Sequence, residues 1–380
     1  VFDNLIGHSS LKNQLASAVR QKNLSPSMLF YGENYSGKLT AALELSRTLS
    51  CQKEADWRCG CHHCEAARRL LHPYTVMLGN RYFSYEIAQS REALLKAPGQ
   101  PAMRFLYLRS VRKLLRRFDP FLWEEDEQRY KKAKNLIAPL GELLDSIEVH
   151  AQLPEEKMFF KLLETIEEKS AELAAILDGY TISIGQIRSI SNWARTNAQS
   201  TKVIIMEEAD KMQESGRNAL LKILEEPPER LYFILMSRSR NTVMPTILSR
   251  VRSYAFMPRS SDEEHEVLQR IFKSDGQNIS LRQFFSKAAD EDIAELALAY
   301  WRGKKENRSF FESYQAKKAD GQFTVFLEEL TNIIRAEFHR ETLDTLKAGR
   351  LMTEINKAKT QYAIYRQNPA SLAERLFYMI

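Results

Sequence analysis

The chain has 380 residues, a net charge of +6 and a pI near 8.9, with 44% hydrophobic and 27% charged residues. That balance excludes a disordered chain, leaves room for two or three domains, and is less basic than a strong DNA binder of this size. No apolar run reaches the ~18 residues of a membrane span, and Val1-Phe2-Asp3-Asn4 has neither the basic nor the apolar stretch of a secretory leader, so a cytoplasmic protein is expected.

In chain order, residues 1–78 read as α/β. Leu11, Leu15 and Val19 share a helical stripe, and Ser27-Met28-Leu29-Phe30-Tyr31 is a short apolar strand before a glycine turn. The next helix carries Leu39, Leu43, Leu45 and Leu49 on one side. Residues 79–177 differ. Leu, Glu, Lys and Arg recur there at helical spacing, as in 105–109 and 159–163, and Pro98, Pro101, Pro120, Pro139 and Pro154 divide the stretch into several helices. Its basic run (Arg104, Arg109, Arg112, Lys113, Arg116, Arg117) is followed at once by Glu124, Glu125, Asp126 and Glu127, which fits a solvated helix face better than a nucleic-acid surface. The α/β pattern then returns with the strand Val203-Ile204-Ile205-Met206, a helix over 218–225 and the strand Tyr232-Phe233-Ile234-Leu235-Met236. Beyond about 258 only helices are expected. The fold class is therefore α/β, a mainly parallel sheet covered by helices, interrupted by a helical insertion and followed by all-helical material.

Gly32-Glu33-Asn34-Tyr35-Ser36-Gly37-Lys38 fits the first seven positions of a phosphate-binding loop and lies between a strand and a helix, the context that gives the motif meaning. Gly32 and Gly37 would let backbone N–H groups turn toward phosphate, and Lys38 would reach the outer phosphates. The eighth position, normally a Mg²⁺-binding Ser or Thr, is Leu39. Thr40 is rotated by about 100° along the helix, so it joins the candidate cofactor-binding residues without replacing the missing hydroxyl. ATP/Mg²⁺ binding is expected to be weakened. After the second strand come Glu207 and Glu208, the acids that hold Mg²⁺ and activate water in ATPases, with Glu207 where Asp is usual.

All four cysteines, Cys51, Cys59, Cys61 and Cys64, lie within 14 residues, which favours a metal knot over disulfide staples. The spacing C-x₇-C-x-C-x₂-C suits a structural Zn²⁺, with Cys59-Gly60-Cys61 tighter than ideal. Four cysteines, three with His62 or His63, and free thiols are the alternatives.

The segment Asn218–Pro228, Pro245-Thr246-Ile247-Leu248-Ser249-Arg250-Val251, Ile187-Arg188 and the opening Phe2–His8 together resemble the bacterial clamp-loader subunits of the AAA+ ATPases. The resemblance covers about 1–78 and 181–258 well, the C-terminal helices loosely and the insertion not at all. Leu39 and Glu207 make the chain similar to the delta-prime branch of the DNA polymerase III clamp-loader family rather than to its gamma/tau motors.

The resemblance implies a nucleotide-binding-like core over 1–78 and 178–258 with a zinc module at 51–64, an insertion over 79–177, a helical lid over 259–305 and a helical collar over 306–380. It implies a hetero-pentamer with gamma/tau and delta subunits, acting on the sliding clamp and primed DNA through the complex, without a membrane. Arg250 matches the arginine finger that completes a neighbour's ATP site, an effect worth roughly 10³–10⁵ in rate in other NTPases. Ser237 matches a γ-phosphate sensor, although Arg238, Ser239 and Arg240 replace the usual Thr-Asp-Pro. Family members usually show C-x₈-C-x₂-C-x₂-C where this chain has its cysteines. A true ATPase motor and a zinc-containing nucleic-acid module are the competing readings.

Overall fold

Five short strands form one parallel sheet in the order β2-β3-β4-β1-β5: β1 (Ser27–Tyr31), β2 (Thr75–Leu78), β3 (Lys202–Met206), β4 (Leu231–Ser237) and β5 (Arg252–Ala255). The structure, a computed structural model, describes residues 1–196, 200–274, 279–306, 308–310, 314, 323–339, 343–365 and 367–379. The chain divides into two units, Val1–Phe285 and Ser286–Ile380.

The three strands expected from sequence are present and central. They are apolar throughout because a parallel sheet is covered on both faces. Alternate residues go to opposite sides: Leu29, Ile204, Met206, Phe233 and Leu235 enter one core, and Met28, Phe30, Val203, Ile205, Ile234 and Met236 the other. Sequence reading missed the two edge strands. β2 has only four residues, and β5 buries only Tyr254, so neither carries a pattern long enough to stand out.

The second core holds α1 (Ser9–Arg20) and α2 (Lys38–Ser50). α2 buries more than the leucine face expected of it: Glu44, Ser46, Arg47 and Thr48 are buried as well. On the opposite face, the first core continues into α4 (Phe83–Lys96), α5 (Pro101–Leu115), α6 (Glu127–Asp145) and α7 (Glu156–Ala175), so the insertion shares its apolar interior with the sheet. Pro101 starts α5, where its missing N–H costs nothing. Pro139, expected to separate helices, lies inside α6 instead. Leu140 and Leu144 beyond it are buried, and that packing offsets the lost backbone bond.

The basic run is not a solvated face. Arg112 and Arg117 are buried, and Arg112, Lys113, Arg116 and Arg117 ion-pair with Glu148, Glu86, Asp119 and Glu207 respectively. The acids at 124–127 are not those partners. Asp119 is local, but Glu86, Glu148 and Glu207, 27 to 90 residues away, turn the rest of the face inward.

After the sheet, α11 (Ser261–Phe272) opens with a reciprocal Ser260–Glu263 cap. The first turn of α12 (Leu281–Lys305) joins Ile6, Val267, Leu268 and Phe272 in a small apolar cluster. The second unit is helical where described: the rest of α12, Phe323–His339, Thr345–Tyr365 and Pro369–Met379 enclose Ile293, Tyr300, Phe326, Leu330 and Leu376. No strand occurs beyond Ala255 among the described residues, and no helix is long and apolar enough to cross a membrane.

Candidate functional site

The candidate phosphate loop, Gly32–Lys38, joins β1 to α2. Gly32 lies so close to the neighbouring chain that an added Cβ would sit 2.1 Å from the Phe256 carbonyl, and its N–H donates to the Ser237 carbonyl at 3.2 Å. Gly37, at φ +94°, begins α2 in a backbone region that favours glycine. Lys38 curls back over the loop, donating to the carbonyls of Gly32 at 2.5 Å and Glu33 at 2.7 Å. Burial pulls its pKa down to about 8, against the opposing pull of Glu207.

Gly37, Lys38, Leu39, Thr40 and Glu207 line one cavity of about 480 Å³. Leu39 brings an isobutyl group where a metal-binding hydroxyl would serve. Glu207, at the end of β3, has both oxygens engaged: Oε1 accepts from Arg81 at 3.1 Å and Oε2 from Arg117, whose side chain is 1% exposed. A carboxylate so held offers little to a cation. Glu208 turns away from this cavity on a left-handed backbone (φ 53°) and pairs with Lys211 at 2.5 Å. Ser237 also lies off the cavity, where its hydroxyl donates to the Ser239 carbonyl at 2.8 Å and stands 2.9 Å from the Thr242 hydroxyl.

Arg250 stands outside this cavity, after the short helix α10 (Pro245–Leu248). Its Nε donates to Glu225 at 3.0 Å and its Nη1 to the Thr246 carbonyl at 2.8 Å, and its side chain is 31% exposed. The structure thus brings Gly37, Lys38, Thr40 and Glu207 together, places Gly32 beneath them, and keeps Arg250 apart.

The four cysteine sulfurs converge, all within 4.8 Å of one another. Cys51 Sγ lies 3.7 Å from Cys59 Sγ and 3.9 Å from Cys61 Sγ. A tetrahedron of Zn–S bonds has edges of about 3.8 Å, so the donor set fits a zinc ion. His63 faces His72 instead, with ring nitrogens 2.9 Å apart. Arg47, buried on α2, anchors this module: it pairs with Glu44 at 2.7 Å, donates to the Ala55 carbonyl at 2.9 Å, and reaches Cys64 Sγ at 3.0 Å. A cation there also offsets the negative charge that four thiolates bring.

The family model described as "DNA polymerase III, delta subunit" matches residues 7–97 and 153–260, just over half of the chain. The chain belongs to the DNA polymerase III delta-subunit family.

Relatives agree. The DNA polymerase III subunit delta' of Haemophilus influenzae is 37% identical over 76 residues, covering 20% of this chain and 23% of that protein. That of Buchnera aphidicola is 25% identical over 154 residues, 40% of this chain and 46% of its own. The gamma/tau subunit of Mycobacterium bovis is 41% identical over 75 residues, 20% of this chain and 13% of its own. The matches span less than half the length of these relatives. A gamma-subunit-related DNA polymerase III protein of Thermotoga maritima aligns over 96% of this chain and 98% of its own with a TM-score of 0.43 at 16% identity.

The delta-subunit pattern reaches further into the insertion than sequence reading placed it. It runs through α4 to residue 97 and resumes at 153, just before α7, leaving 98–152 outside it. Arg81 and Glu86 fall inside the matched region; Arg109, Lys113 and Arg117 fall outside. None of these five was a candidate for the nucleotide site, since they lie far in sequence from the phosphate loop. Only the helical spacing of Arg109, Lys113 and Arg117 hinted at a common face.

Proposed function

We propose that this chain is a delta-prime-like subunit of the DNA polymerase III clamp loader whose part is assembly rather than power. It sits in the cytoplasm in a hetero-pentamer with gamma/tau and delta subunits. As a stator, it helps place the sliding clamp on primed DNA through that complex. Residues 1–78 and 178–258 form the AAA+ core, 79–177 the insertion, 259–305 the lid and 306–380 the collar, parts of which lie outside the described residues. Arg250 is donated to a neighbouring ATPase, where its guanidinium stabilises charge on the transferred phosphoryl group.

One asymmetry carries this reading. The chain's own metal-handling positions are impaired, by Leu39 and by the clamped Glu207. Arg250 meanwhile stands partly exposed and clear of that cavity. Gly32, Gly37, Lys38 and Thr40 keep a loop able to hold phosphate. Without a metal ligand beside it, and with Glu208 tied to Lys211 and Ser237 occupied in a turn, hydrolysis by the chain itself is weak or absent. Cys51, Cys59, Cys61 and Cys64 hold a Zn²⁺ whose role is structural, because four protein ligands leave no open position.

The test is the DNA-stimulated ATPase rate of the reconstituted loader with Arg250→Ala in this chain. A fall on the order of 10³ with assembly intact is expected; an unchanged rate removes the arginine from the mechanism. Magnesium-dependent turnover by the isolated chain, lost on Lys38→Ala, would make it a motor instead.

A further inference from the structure

The cavity beside the phosphate loop is crowded with positive charge. Eight lysines and arginines line it against three glutamates. All three acids are already paired: Glu44 with Arg47, Glu86 with Arg81 and Lys113, Glu207 with Arg81 and Arg117. Lys38, Arg68, Arg109 and Arg259 are left with backbone carbonyls as partners, among them those of Gly32, Cys59, Arg68 and Tyr35. Among the described residues no carboxylate ion-pairs with any of these four. Arg81, whose side chain is 9% exposed, also lines the cavity and leaves its Nε without a hydrogen-bond partner. Eight cations against three carboxylates in one recess repel one another and are costly to hold.

A magnesium ion would make this worse. It would add two charges to a cationic recess, beside a leucine and a glutamate whose oxygens are both taken. A metal-free polyphosphate relieves the imbalance. Guanidinium groups bind phosphate oxygens through paired N–H donors, and Lys38 lies at the N-terminus of a 13-residue helix whose dipole has the same sign. At about 480 Å³ the cavity is within the range of small-molecule sites. Its other end, built from Val267, Phe272, Leu281 and Phe285, is apolar enough to take a base.

We propose that this cavity binds a nucleoside polyphosphate without a divalent metal, with Arg259 and, from the segment outside the family pattern, Arg109 supplying charge that Mg²⁺ supplies elsewhere. The site is then for holding, not hydrolysis. It goes beyond the assembly role and does not depend on Arg250.

The full chain is titrated calorimetrically with ATP, ADP and inorganic tripolyphosphate, each in EDTA and in Mg²⁺. Binding in EDTA at least as tight as in Mg²⁺ is expected, with tripolyphosphate competing against ATP. Arg109→Gln and Arg259→Gln should each weaken it by about tenfold, or ~1.4 kcal/mol. Binding that appears only with Mg²⁺, or none in EDTA, overturns the proposal. ATP binding that tripolyphosphate cannot displace overturns it too, by moving recognition to the base. Should either variant fail to fold, the wild-type chain decides: tripolyphosphate in EDTA must raise its melting temperature. No partner subunit enters these measurements, so their failure is separate from a failure of the Arg250 test.

Discussion

Two buried arginine–glutamate pairs tie additions onto the sheet domain, and they contrast in reach. Arg47 and Glu44 lie one turn apart on α2, and Arg47 extends from there to the cysteine module at Ala55 and Cys64. Arg117 and Glu207 are 90 residues apart, joining the turn just after α5 to the end of β3 at the edge of the cavity. The first pair is local, and the four cysteines of its module, which fit a metal ion, lie within a short stretch of chain. The second exists only once the whole sheet has formed, and it takes an acid that a motor subunit would use for Mg²⁺. One addition is anchored to α2; the other engages both oxygens of Glu207.

The largest effect should come from the local side of this contrast. One zinc per chain is expected by elemental analysis, and Cys64→Ser should cost roughly 5 kcal/mol or more, since binding a structural zinc is folding free energy. An unchanged melting curve with no metal in the wild type would leave the module held by Arg47 alone. On the long-range side, Glu207→Gln should cost ~3 kcal/mol in urea unfolding because it strands the buried Arg117 guanidinium and leaves Arg81 with Glu86 alone. Arg117→Met should cost about 1 kcal/mol or less, as Arg81 still pairs with Glu207 and an apolar side chain suits that interior. Equal losses in the two variants would show that the clamp is not centred on Glu207.

A smaller effect is expected with pH. Lys38 titrates near 8 in the folded chain because of burial, against 10.5 in its absence. Between those values the unfolded state binds more protons, so stability should rise as pH goes from 8 toward 10.5. Thermal melts across that window should show a shallower rise in Lys38→Met; identical slopes would mean the lysine is solvated. The smallest change should follow Arg250→Ala, whose exposed pair with Glu225 is worth no more than ~0.5 kcal/mol in unfolding experiments. A large loss there would make Arg250 a structural residue and blunt its role toward a neighbour.

Legibility followed distance along the chain. β1, β3 and β4 could be read because central strands of a parallel sheet need unbroken apolar runs. The polar edge strand β5 and four-residue β2 could not, since edges carry less of the pattern. Cys51 to Cys64 announced a metal site by spacing alone, and the four sulfurs do converge. The loop Gly32–Lys38 was legible for the same reason, a short motif with its own local geometry. Pro139 misled because packing of Leu140 and Leu144 outweighed a local preference. The basic run at 104–117 misled because local charge alternation does not reveal partners 27 to 90 residues away.

By itself, then, the sequence determined the α/β class, the phosphate loop, the missing hydroxyl at Leu39 and the cysteine cluster, all properties of contiguous residues. Tertiary structure alone decided that Glu207 is held by Arg81 and Arg117, that α5 brings Arg109 and Lys113 to the cavity beside the loop, and that Arg250 stands outside it. Those follow from which helix packs over which strand end, and charges brought together by a sheet crossover leave no periodic trace in the chain.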